Sequence, residues 1–399
     1  MTTEDNTMDK IMDQQPIEPR ALAVPSRAQR FQDSRAAFAA LLALTAATLI
    51  ALGAGAARGE QPAALRDATG FVYTADEYGN SISAIDLATG RVESVPIPVS
   101  PHNVQVTADG VRLLAVGDPA EAGGHGAGMA AMAEHGSEAE GQLLVFDTLS
   151  LASGPTAAIA VGEHPAHVVA DREGRRAFVT LAEADAVAVV DLVQGEVVRT
   201  VATGRYPHGQ RISPDGRELY VANVEDGSVS VIDTGTLAET ARIPVGQAPV
   251  QVGFTPDGAR VYVSLRDEDR VAVIDTATRS VLARIDVGRG PIQVHATPDG
   301  RFVYVANQGS EAEPADTVSV IDVAAGTVVD TIRTGAGAHG VAVSGDGGYV
   351  FVTNIVDSTV SVIDAENRAV VADFAVGTGP NGVTFRAQPT SSNQADPNG

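Results

Sequence analysis

The chain has no cysteine and no tryptophan, and only 4% of its 399 residues are aromatic. Without thiols there is no disulfide, no thiolate metal site, no cysteine nucleophile and no lipid-modified N-terminal cysteine. Positive charge is scarce too. Only 27 basic residues face 50 acidic ones, a net charge of −23, and beyond Lys10 every basic residue is arginine. A chain so acidic is expected to have no nucleic-acid partner, because phosphate binding needs clustered Lys and Arg. Common catalytic signatures are missing as well: there is no G-x-S-x-G, no H-E-x-x-H and no phosphate-cradling glycine loop.

Long apolar runs are confined to one place. Residues 36–57, AAFAALLALTAATLIALGAGAA, are uncharged, follow Arg27, Arg30 and Arg35, and end in small residues of the kind a signal peptidase accepts. This segment reads as an export signal, either cleaved or kept as a membrane anchor, and it is the only membrane contact expected. Residues 1–35 form a polar N-terminal extension and residues 388–399 a tail expected to be disordered. The rest of the chain is expected outside the cytoplasm: periplasmic, extracellular, or held on the outer side of the cytoplasmic membrane.

From about residue 69 to 387 the sequence repeats itself. An aspartate closing a "VID"-like run recurs at Asp86, Asp147, Asp191, Asp233, Asp275, Asp322 and Asp364. A period near 42 residues signals repeat architecture. Each unit holds four short alternating apolar runs, here called strands a to d, with Pro-Asp-Gly turns such as Pro214-Asp215-Gly216 between a and b. One four-stranded meander cannot bury both of its faces, but several packed radially can. The first unit begins at strand b with FVYTAD (71–76), and a solitary strand-a sequence, GPNGVTF (379–385), follows the last full unit. The fold class is therefore an all-β, seven-bladed β-propeller of four-stranded antiparallel blades, with the C-terminal strand completing blade one.

The recurring LYVAN (219–223), VYVAN (303–307) and FVTN (351–354) resemble the YVTN-type, YncE-like, family of exported β-propeller repeats. The resemblance implies the fold and an envelope location, and it implies no shared catalytic residues. Function must come from departures from the repeat.

Histidine and methionine make those departures. In a meander the d–a and b–c loops share one face of the propeller. Seven of the eight histidines fall there: His102, His164, His167, His208 and His339 near the start of strand a, and His125 and His135 in an insertion (119–140) between strands b and c of blade two. The insertion also holds Met129 and Met132, the last two of five methionines. His102, His167 and His208 come from adjacent blades and point to a Zn or Cu site at the channel mouth, with His339 a possible fourth ligand. Imidazole beside thioether suits copper, so His125, Met129, Met132 and His135 are candidate copper ligands. A hydrated pore mouth, a small-molecule site, a protein partner on the same face and a filler loop remain open at this stage. The function expected is a non-catalytic binding protein for a metal ion. The alternatives are an envelope interaction scaffold and a metal-dependent, lactonase-like hydrolase drawing on Asp76, Asn103, Asp118 and Asn381.

Overall fold

A computed structural model describes residue 65 and residues 68–120 and 140–388. The strands, Phe71 to Arg386, form seven four-stranded antiparallel sheets, and the fold is the seven-bladed propeller read from the repeats. In blade one, Pro380–Arg386 is strand a and pairs with Phe71–Asp76, so the two ends of the repeat region share one sheet. Val72 pairs with Phe385 and Tyr73 with Thr384. This pairing removes two strand edges that would otherwise stand open.

Each blade uses the same local chemistry. The aspartates ending the "VID" strands accept backbone N–H bonds in the c–d turns, for example Asp86 from Ala88, Asp191 from Val193 and Asp364 from Glu366. The Pro-Asp-Gly aspartates do the same on the a–b side, with Asp215 accepting from Arg217 and Asp257 from Ala259. These acids are turn-formers.

The tyrosine of the recurring motif is a core residue: Tyr73, Tyr220, Tyr262 and Tyr304 are almost wholly buried. The asparagine closing strand b ties that strand to strand c. Asn223 Nδ2 donates to Ser228 and Ser230, and Asn354 Nδ2 donates to Thr359 and Ser361. The buried apolar side chains sort into seven clusters, each shared by two neighbouring blades. The ring is thus held by sheet-on-sheet packing all the way round, and only strand a of each blade faces the axis.

Every strand a that carries a proline has a register shift just after that proline, as at Pro101/Asn103, Pro165/Val168 and Pro207/Gln210. Such a bulge breaks strict alternation. Side chains one and two residues past the proline can then approach the same region, which sets up the site described next.

Candidate metal centre

His102 lies in strand a of blade two (Val99–Val106), His167 in that of blade three (Pro165–Ala170) and His208 in that of blade four (Pro207–Ile212). One ligand atom from each lies within 4.8 Å of the other two. The ring centroids are 5.7 Å (His102–His167), 5.1 Å (His102–His208) and 4.8 Å (His167–His208) apart. His102 Nε2 and His208 Nε2 are 3.0 Å apart. Two nitrogens on one tetrahedral ion with bonds of about 2.0–2.1 Å stand about 3.3 Å from each other, so this spacing is close to that of a shared ligand sphere.

The outer atoms of these rings are held. His208 Nδ1 donates to the carbonyl of Val250 at 3.3 Å, which leaves Nε2 as the lone-pair nitrogen. His102 Nδ1 has two neighbours, the Asn381 amide nitrogen at 3.1 Å and Glu77 Oε2 at 3.4 Å, and Asn381 itself donates to Glu77 Oε2 at 2.7 Å. With Asn381 donating to Nδ1, His102 carries its proton on Nε2 and gives it to His208. With Nδ1–H turned to Glu77, His102 Nε2 becomes a free lone pair. Either neutral tautomer has a partner, and the second is the carboxylate–histidine arrangement that orients metal ligands.

His167 Nδ1 is buried without a hydrogen-bond partner, an unusual position for a polar atom. Burial, followed by the neighbouring His208 and His102, holds the His167 pKa well below the ordinary imidazole value. Burial, followed by the neighbouring His102, does the same to His208. Both rings are therefore neutral near pH 7, the form that binds metals.

The remaining sequence candidates fall as follows. His339, in strand a of blade seven (Ala338–Val343), is buried with Nδ1 at 3.3 Å from the Asn381 carbonyl, and it lies outside the three-nitrogen group. His125, Met129, Met132 and His135 lie outside the described residues, as does the segment 36–57. Among the described residues no helix is long and apolar enough to cross a membrane.

His164 pairs with Asp118 at 2.9 Å, beside the stem of the insertion. The polar groups a hydrolase would draw on are already engaged. Asp76 accepts from Thr74, Ser81 and Ser83, Asn103 Oδ1 accepts from Val168 N–H, and Asn381 is committed to Glu77. Sequence reasoning missed Glu77. Its only signal was an acid one residue past strand b, where other blades carry Ala182, Val224 or Ile355.

Among curated proteins nothing matches this sequence. A functionally unknown protein from Desulfotomaculum acetoxidans aligns with a TM-score of 0.64 at 15% identity, covering 80% of this chain and 100% of that one. Hydrazine synthase from Kuenenia stuttgartiensis aligns with a TM-score of 0.60 at 21% identity, covering 72% of this chain and 90% of the other. At such identities the likeness is one of fold alone. The family model of YNCE-like β-propellers matches residues 147–388, more than half of the sequence, and the chain belongs to that family.

Proposed function

We propose that this protein is an exported, non-catalytic β-propeller that holds one zinc or copper ion at the mouth of its channel. The ligands are His102, His167 and His208. The observation that carries the reading is the 3.0 Å approach of His102 Nε2 to His208 Nε2, with both outer Nδ1 atoms anchored and the buried Nδ1 of His167 unpartnered. Three imidazoles with an open fourth position suit Zn²⁺ or copper, and an open position suits an ion that is passed on. His339 is the candidate fourth ligand. His125, Met129, Met132 and His135 would act as a first acceptor on the same d–a/b–c face. Export rests on the apolar segment 36–57 and its preceding arginines. The prior engagement of Asp76, Asn103 and Asn381 favours binding over hydrolysis.

Equilibrium dialysis against zinc and copper, followed by metal analysis, tests this reading. Wild type is expected to retain one equivalent, and the His102→Ala/His208→Ala double variant none, with its thermal transition preserved. Retention by the double variant would place the metal elsewhere. Failure of wild type to bind either ion would leave an interaction scaffold.

A further inference from the structure

Three residues beyond His208 on the same inner strand stands Arg211. Many arginines pair with acids, as in Arg176–Asp171 at 3.0 Å and Arg242–Asp226 at 3.2 Å, or donate to carbonyls far along the chain, as Arg112 does to Gly174 and Arg386 to Gly110. Arg211 differs. Among the described residues no carboxylate pairs with it, and its Nη1 donates to the adjacent carbonyl of Gln210 at 3.1 Å. It lies deep in the molecule, where burial alone lowers its pKa to about 10, yet it keeps partial solvent access. That combination belongs to a group lining an internal channel. His295 occupies the equivalent register in blade six: Arg211 pairs with Tyr220, and His295 with Tyr304. The charge of Arg211 lowers the pKa of both His295 and His167, so both rings lie within electrostatic reach of it.

We propose that the channel binds a small oxyanion, a carboxylate or an inorganic phosphate-type ion, on the guanidinium of Arg211. A guanidinium offers five donors in a fork that matches two oxygens of such an ion, and the local carbonyl uses little of that capacity. A buried cation with no acid beside it is costly until a counter-charge arrives. A net charge of −23 disfavours diffuse anion uptake. Saturable binding at one ion per chain is therefore diagnostic.

The test is calorimetric titration of the folded, full-length, metal-stripped protein with sodium acetate and, separately, inorganic phosphate. Metal-free protein probes the anion site independently of the His102 centre. We expect one saturable site for at least one of the two ions, and which ion binds identifies the class. Arg211→Gln should weaken binding about 10- to 100-fold, the value of a charge-assisted hydrogen-bonded pair. Arg211→Lys keeps the charge, is the variant more certain to fold, and should weaken binding less, since only the fork is lost. Arg217→Gln, at an exposed turn, should bind as wild type does. Absence of saturable binding of both ions to wild type would overturn the proposal, and so would wild-type affinity in both Arg211 variants.

Discussion

At the end of strand b in blade one, Asp76 stands where blades four, six and seven have the asparagine that ties strands b and c together. The geometry is kept and the donors are reversed, because Ser81 and Ser83 now donate to a carboxylate. Burial raises the Asp76 pKa to about 6 against those hydrogen bonds. A carboxyl whose folded pKa lies above its unfolded value of 3.8 gives most stability below that value, and loses it as pH rises through about 6. Asp76→Asn is therefore expected to stabilise the protein at pH 7 by about 1–3 kcal/mol and to flatten its stability between pH 4 and 6. Urea melts of both proteins across that range are the check, and equal slopes against pH would refute the assignment. The substitution was visible in the sequence, but its meaning was not. The repeat supplied the aligned position, whereas the three hydroxyls around the carboxylate came only with the packed sheet. Glu77 shows the same limit: its role depends on His102 and Asn381, which lie in other strands.

At the scale of one element, strand b carries an aromatic into each of several inter-blade cores. Tyr262 is 1% exposed and packs with Val271, Val294 and Val305 across the boundary of blades five and six. Tyr262→Ala is expected to cost about 3–5 kcal/mol, measured by denaturant unfolding, because the surrounding sheets cannot collapse into the space. The insertion in blade two should behave oppositely. Its flanking strands are locked in register, with Gly117 opposite Gln142, and Ala120 N–H donates to Pro98. Replacing 120–139 by a short Gly-Ser linker should leave the melting temperature nearly unchanged. If Met129 and Met132 take up Cu(I), that uptake should disappear, and equal uptake before and after would remove the role. Strand positions were readable from short apolar runs bounded by turn signals: the middle strands are buried on both faces between two neighbouring blades, and the outer strand alternates, as in Ala238–Pro244. The meeting of His167 with His102 and His208 was less so, since the three occupy two different repeat positions and converge only through the bulge after each proline.

For the whole molecule, ring continuity and acid sensitivity are the governing properties. Deleting 379–387 removes strand a of blade one, with Val383 and Phe385 from the cluster shared with blade seven. A loss of about 5 kcal/mol or more is expected from the vacated apolar contacts and unmade ladder bonds. A truncated protein melting within a few degrees of the full chain would contradict the closure. Acid should also weaken the propeller through His295, whose pKa burial and Arg211 lower to about 4. A depressed folded pKa gives stability that is whole above the unfolded value of 6.5 and drains away as pH falls toward 4. His295→Gln should spare up to about 3 kcal/mol of that loss, read as the difference between melts at pH 7 and pH 4.5. Asp76 opposes this trend over part of the same range, so the double variant separates the two slopes.

The bond from Asn381 to Glu77 joins residues 304 positions apart. Within the ring, Glu77 and His102 belong to the first two blades made and Asn381 to the last strand. Blades can form in order from local hairpins, yet the support behind His102 is complete only when the final strand docks. If the three imidazoles hold an ion as proposed, its acquisition is a late event in assembly, and a chain stalled before residue 380 would carry the imidazoles and still lack the support behind His102.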